Sequence, residues 1–491
     1  MTKEEKRSLR EQKELAYLRK EKAKPKSKYY LWYLLLILAL IYIVDEIISN
    51  LQGNLITDIS HDIFPDVFGD GTHNAIISAS KPLVLVNTFA TFILALSMFY
   101  KPLADRFGRK PFLFINTLGM GVSIAICTLA RNSGTFFFYI IGFFLMRFFV
   151  TPDEQVVYIF ETVPKNRRAT TCSIIKGIAE FGLVFISIMR MGFMGSDLFG
   201  NGEFHYEQWR WVFLTAAIAA AVISLIALFF ARETDPYLDS RIAYLEKTPE
   251  ERLEDAKKQK LVLKKSQGGF FNGLISVFKS KQLLFICIAT FLYTLASSFI
   301  GYYKTLMDAV TSNNTVFSNR ALFIFPFTCG VVTIIYGFIS DKIGRKITLI
   351  GLLSISIIAF TLYGVGLNYN WNEFLLGALI GVFLGSFWAS GDTFIMMAGE
   401  SAPTRIRASA MTAHSLFFGI GQALSGVLVS ILAGLGTLNA VFVALAVTVP
   451  VLIASLVLLM IFVRETKNIE IEKVELEFVR KEENQVQEES K

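Results

Sequence analysis

The sequence predicts an all-α membrane protein: twelve transmembrane helices in two pseudo-symmetric six-helix bundles. Three observations predict it. The first is apolarity. The 491 residues are 53% hydrophobic and 14% aromatic, with a mean hydropathy of +0.50, more than a soluble chain of this size carries. The second is run length. About 20 residues at ~1.5 Å each cross a hydrocarbon core of ~30 Å, and twelve runs reach that scale. The third is a charged octet written twice. "LADRFGRK" at 103–110 returns as "ISDKIGRK" at 339–346, which sets Asp105 and Asp341 236 positions apart.

In chain order the expected spans are 29–55, 79–101, 111–130, 135–162, 169–194, 211–231, 282–306, 320–340, 346–366, 373–399, 409–434 and 438–463. Buried helices of a large soluble protein would alternate with amphipathic ones, and here almost none intervene. Residues 1–28 form a basic tail, and the run after it is too long for a signal-peptide core. The four cysteines, Cys127, Cys172, Cys287 and Cys329, all fall in expected spans. None forms a C-x-x-C, so neither a metal site nor a disulfide framework is expected.

Alternate connections differ in charge. One set holds the basic tail, Lys101/Arg106/Arg109/Lys110, Lys165/Arg167/Arg168, Lys342/Arg345/Lys346 and Arg405/Arg407. The other is neutral or acidic, and Asp58, Asp62, Asp66 and Asp70 read as a solvated first outer loop. Short loops rich in Lys and Arg stay cytoplasmic, which puts both termini inside. Orientation thus accounts for the net charge of +7, and no nucleic-acid partner is implied.

The duplication extends beyond the octet. "ETVPKNRRAT" at 161–170 returns as "ESAPTRIRAS" at 400–409, and Arg232-Glu233-Thr234 returns as Arg464-Glu465-Thr466. Order is kept and spacing nearly so, so a six-helix unit is written twice, with both copies starting on the same side. The expected organisation is a first bundle at 29–232, a cytoplasmic linker at 233–280 with one or two short helices, a second bundle at 281–464 and a charged tail at 465–491.

Within each octet, Gly108 and Gly344 permit a tight reversal. Arg106, Arg109 and Arg345 hold the loop on the cytoplasmic side, while Asp105 and Asp341 can accept from helix N-termini and pair with arginine. With Glu161, Arg168, Glu400 and Arg407 they make a candidate cytoplasmic gate. The plain alternative is a positive-inside turn.

Ionisable residues at mid-span are costly and mark pathways or pairs. Asp45, Ser49 and Gln52 form one polar stripe beside Glu46, and Arg147, Glu154 and Glu161 form another. Lys176 and Glu180 stand at i, i+4, with Arg190 further along; Trp388 and Asp392, then His414 and Gln422, follow in the second bundle. Two readings stay open: structural ion pairs, such as Lys176–Glu180 within one helix, or a proton relay beside a substrate site. The relay candidates are Asp45, Glu46, Arg147, Glu154 and Glu180. The substrate candidates are Gln52, Lys176, Tyr302, Trp388, Asp392, His414 and Gln422. Gly377, Gly381 and Gly385 make a small-residue ridge suited to packing.

Asp-Arg/Lys-x-Gly-Arg-Lys after the second and eighth spans resembles the signature of the major facilitator superfamily. "Glu-x-x-Pro-x-x-x-Arg" after the fourth and tenth, "QWRW" at 208–211, "RETDP" at 232–236, Tyr302-Tyr303 and "RETKN" at 464–468 are similar to its sugar-porter branch. Lys101 replaces a signature glycine, and Leu292 and Tyr293 stand where that branch carries a hexose-binding glutamine pair. The resemblance implies rocker-switch transport with a mid-membrane site between the bundles. It implies Asp45 and Arg147 as a proton-coupling pair. It places Lys176 at a substrate-binding position, where a lysine suits an anionic group.

No proline lies in "KGIAEFGLVF", so a common drug-antiporter motif is missing, and neither a G-x-x-x-x-G-K-[ST] nor a G-x-S-x-G motif occurs. The expectation is a secondary transporter, not an enzyme, without cofactor. It would carry a small polar metabolite, sugar-like or an organic anion, by proton-coupled symport. A uniporter or efflux antiporter of the same fold, and a non-transporting sensor, are the alternatives. The expected partners are substrate, protons and the lipid bilayer of a plasma or inner membrane, with the protein a monomer.

Overall fold

A computed structural model describes residues 3–25, 28–69, 72–100, 107–150, 158–159, 161–163, 168–195, 203–247, 251, 280–299, 303–311, 313–402, 407–432 and 440–466. The first part of the chain contributes α1 (Lys3–Ala23), α2 (Tyr30–Ile63), α3 (Pro65–Phe68), α4 (His73–Tyr100), α5 (Arg109–Cys127), α6 (Phe136–Val150), α7 (Arg168–Gly182), α8 (Val184–Met194), α9 (Trp209–Phe230) and α10 (Asp235–Glu246). The second contributes α11 (Lys281–Leu295), α12 (Tyr303–Val310), α13 (Thr315–Ile343), α14 (Arg345–Asn368), α15 (Glu373–Glu400), α16 (Arg407–Leu432) and α17 (Ala440–Phe462). Ten described stretches are long and apolar enough to span a membrane, and α11 and Ala413–Leu428 within α16 are shorter apolar helices. Together they account for the twelve expected spans.

The repeat is visible in the packing. α5 lies against α6 and α9, and its counterpart α14 lies against α15 and α17. α4 packs on α6, as α13 packs on α15. The glycine ridge of α15 serves that last contact: a Cβ on Gly377, Gly381 or Gly385 would meet the carbonyls of Ala321, Phe325 and Cys329 on α13.

The two halves meet along two seams, α7 on α13 and α4 on α16. Under the repeat these are one contact made twice. Small residues line both. A Cβ on Gly177 would strike Ile334 and the Gly330 carbonyl, one on Gly337 would strike Ser173, and one on Gly426 would strike Thr88. At the end away from the octets, α12 also packs on α2 and α4.

Two departures from the sequence reading stand out. α2 continues to Ile63, past the apolar run that was expected to end at 55. Asp58 and Asp62 are therefore helical, Asp66 begins α3, and Asp70 lies outside the described residues. The expected acidic loop is instead largely helix, because Arg190 and Arg210 neutralise its first two carboxylates. The basic tail is also structured. α1 docks on α10 through Leu15 and Leu18 against Tyr237, Leu238, Ile242 and Leu245. Arg19–Glu246 and Arg241–Glu14, each at 2.7 Å, and Lys22–Asp239 flank that contact. Exposed pairs of this kind add little, so the apolar contact carries the docking.

Candidate functional site

Each octet turns a corner of the same design. Gly108 and Gly344 adopt φ +103° and +108°, a region open to glycine but strained for other residues. Glu233 closes the first corner: its carboxylate accepts from the backbone N–H of Arg109 (3.0 Å), Lys110 (3.2 Å) and Thr234 (3.2 Å). Glu465 closes the second, accepting from Arg345 (2.8 Å), Lys346 (3.0 Å) and Thr466 (2.9 Å). Both carboxylates cap the N-terminus of the helix that follows the octet, where unpaired N–H groups and the helix dipole favour an anion. A Cβ on either glycine would fall on the capping carboxylate. Burial pushes the Glu233 carboxyl above its ordinary range, and the backbone donors of Lys110, Arg109 and Thr234 oppose that shift.

The next layer repeats too. Glu161 takes Arg109 at 3.4 Å and the Thr234 hydroxyl. Glu400 takes Arg345 at 3.4 Å and the Thr466 hydroxyl at 2.6 Å. All these contacts stay within one half. Asp105 and Arg106 lie outside the described residues, and of Arg168, Asp341 and Arg407 only the helical backbone is described. Sequence reasoning missed Glu233 and Glu465 as caps, although the repeated Arg-Glu-Thr had signalled them. Glu233→Ala and Glu465→Ala should each lower the thermal midpoint of the purified protein, by the equivalent of about 1.5–3 kcal/mol for lost charge-assisted bonds. The two losses should be similar. A variant that melts like the wild type would show that its corner does not depend on the cap.

At the far end lies a fully buried group of four charges. Arg190 of α8 donates to both oxygens of Asp58 on α2, at 3.1 and 3.0 Å. Lys304 of α12 lies 3.5 Å from Asp58 and 2.5 Å from Asp308, one turn along its own helix. Side-chain exposure across the group is 0–1%. It joins the halves, as do Tyr303 Oη donating to Asn54 (2.9 Å) and Asn313 donating to Tyr206 (2.6 Å). Asp62 on the next turn of α2 takes Arg210 at 2.7 Å and the Trp209 indole at 3.0 Å. Lys304 is a deep cation of the second half that was not among the sequence candidates. Its i, i+4 spacing to Asp308 was the available signal.

A second charged layer crosses the halves nearer the octets. Lys176 Nζ donates to both oxygens of Asp392, at 2.9 and 2.7 Å. The lysine thus turns across to α15 of the other half. Lys176 stands eight residues from the start of α7 and Asp392 eight from the end of α15, which is about 12 Å inward along each helix.

Between the two layers lie the remaining acids. Buried Glu180 accepts from Cys329 Sγ of α13 at 3.4 Å, again across the halves. It lies within electrostatic reach of Glu46 on one side and of Lys176 and Asp392 on the other. Asn50 donates to Glu46 at 3.2 Å, and Ser49 donates to Asp45 at 3.4 Å. Arg147, in reach of the Asp45 charge, donates to Asn87 of α4 at 2.8 Å.

Other candidates sit elsewhere. The Gln52 amide donates to the Leu83 carbonyl (2.8 Å) and accepts from Tyr139 Oη (3.3 Å), so it ties α2 to α4 and α6 inside the first half. Trp388 and Gln422 are half-buried. His414 is buried, and neither ring nitrogen has a hydrogen-bond partner among the described residues. Glu154 and Tyr302 lie outside the described residues.

The model of the family described as sugar (and other) transporters matches residues 78–478. No curated protein matches the chain. Among solved structures, the major facilitator superfamily proton:xylose symporter XylE, bound to 6-bromo-6-deoxy-D-glucose, is similar with a TM-score of 0.66. The identity there is 15%, over 92% of this chain and 100% of that one. A partially occluded inward-open form of the xylose transporter XylE from E. coli gives a TM-score of 0.62 at 16% identity, over 90% and 100%. The nucleoside transporter NupG gives 0.56 at 16%, over 87% and 98%. At these identities the likeness is one of fold. With duplicated corners, two seams and a family match over most of its length, the chain belongs to the sugar (and other) transporters.

Proposed function

We propose that this transporter takes up a small polar, sugar-like metabolite together with protons, by alternating access between the halves at 29–232 and 281–464. The observation that carries the proposal is the placing of Asp45, Glu46, Arg147 and Glu180 between two ionic layers that join the halves. Structural pairing alone would not require acids of both α2 and α7 to share one stretch between those layers.

In this reading the octet corners are rigid cytoplasmic ends of each half, and both termini face the cytoplasm of a plasma or inner membrane. The Asp58–Arg190–Lys304–Asp308 group closes the outer end. Opening outward separates Lys304 from Asp58 and unseats α12 from α2 and α4. Separating Arg147 from Asp45 leaves a carboxylate in a dry site, which a proton neutralises; bringing them together releases it. Lys176, Trp388, Asp392, His414 and Gln422 face the substrate route, and the protein works as a monomer.

The test is flux into liposomes containing the purified protein, with and without an inward pH gradient. Accumulation of a sugar or sugar acid above its external concentration, abolished by a protonophore, is the expected result. Equal flux with and without the gradient would replace symport by uniport, and binding without flux would favour the sensor.

A further inference from the structure

We infer that the substrate carries a carboxylate, that this carboxylate takes the place of Asp392 on Lys176, and that the displaced Asp392 takes over the coupled proton loaded at Asp45. The inference rests on the transport reading above and names its substrate class.

The two charged layers differ in one respect. The far-end group is dry, at 0–1% side-chain exposure. The Lys176–Asp392 pair keeps 31% and 34%. A pair that served only to weld the halves would gain from being as dry as its counterpart. This one stays within reach of a solute. Its surroundings are those of a binding site. Trp388 stands one turn from Asp392 on α15. Tyr336 of α13 and Tyr293 of α11 lie within electrostatic reach of Asp392. Glu180 and Cys172, both on α7, flank Lys176 by one turn on either side, and Arg345 of α14 acts on Tyr336 from the octet end.

Charge balance selects the ligand. A neutral polyol would have to part the ions and supply only hydroxyls in place of a full opposite charge. A carboxylate replaces Asp392 on Lys176 one for one. Asp392 is then a surplus anion near Glu180, which also feels Glu46. Like charges in a confined site cannot all stay ionised, so a proton is bound. Before the exchange the pair is neutral, Lys⁺ with Asp⁻. After it, Lys⁺ holds the ligand carboxylate and Asp392 is protonated, again neutral. One proton enters with one carboxylate. Release reverses the step: Asp392 loses its proton, reclaims Lys176 and expels the anion. Proton and anion therefore tighten one another reciprocally.

The test uses the full chain in liposomes with D-glucuronate, D-glucose and D-xylose as probes. The variants are K176Q, D392N and the exchange K176D/D392K, each checked for its thermal midpoint. Wild type should accumulate glucuronate under an inward pH gradient, in preference to glucose and xylose by more than about tenfold. Its glucuronate affinity should rise as pH falls. D392N should bind glucuronate with no such pH dependence. The exchange variant restores the pair, so it should keep its thermal midpoint and lose glucuronate uptake; K176Q should also lose it. Accumulation of glucose or xylose equal to or above that of glucuronate overturns the inference and leaves proton-coupled sugar transport standing. Unchanged glucuronate uptake in K176Q or in the exchange overturns it as well. If no probe accumulates under the gradient, the proposed function fails and this inference fails with it.

Discussion

Arg190→Met is expected to unfold far more readily than the wild type, with a loss of about 3–5 kcal/mol. The substitution removes both donors from Asp58 and leaves that carboxylate in a site of 0% side-chain exposure. Lys304, at 3.5 Å, stays committed to Asp308. Size is not the issue, since methionine fills much of the volume of arginine, although the stacking of the guanidinium over Phe204 at 5.0 Å is lost. The diagnostic is the second substitution. Asp58→Asn in the Arg190→Met background should recover most of the thermal midpoint, because it removes the orphaned charge. A double variant as unstable as the single one would move the loss from electrostatics to packing. A single variant as stable as wild type would mean that the buried pair is not formed.

Asp45→Asn should abolish accumulation driven by a pH gradient while leaving downhill counterflow. Asparagine keeps the shape and an acceptor for Ser49, so the fold is preserved. It cannot ionise, so moving Arg147 no longer loads or releases a proton. Measured in one set of liposomes, the internal substrate should settle at the external concentration whatever the gradient, and exchange of labelled for unlabelled substrate should continue. Undiminished concentrative uptake would relocate the loading of the proton to Glu46, Glu180 or Asp392 itself. Loss of counterflow as well would point to a substrate contact.

Apolar run lengths and the duplicated octet predicted the fold, because a bilayer leaves the backbone few alternatives to spanning helices. The deep charges were legible as well: Asp45, Glu46, Arg147, Lys176, Glu180 and Asp392 announce themselves by sitting in apolar runs. Their pairing was not. Lys176 has Glu180 one turn away in sequence yet bonds Asp392, 216 residues on, and nothing local distinguishes the two acids. Asp58 misled for a related reason. Ending a span at its last apolar residue assumes that a following carboxylate must reach water. Arg190, 132 positions later, removes that need, and the helix runs on. Gln52 shows the converse limit. Its spacing put it on a stripe with Asp45, but a long amide can turn from its helical face to reach Leu83 and Tyr139.

The glycine-lined seams bear on how fast such a machine can turn over. Where Gly177, Gly330 and Gly337 let backbones lie almost against one another, few bulky knobs have to be lifted from sockets as one bundle rolls over the other. The joint behaves as a plain bearing with little friction, so the activation barrier for reorientation falls on parting and remaking the charged clasps at its two ends.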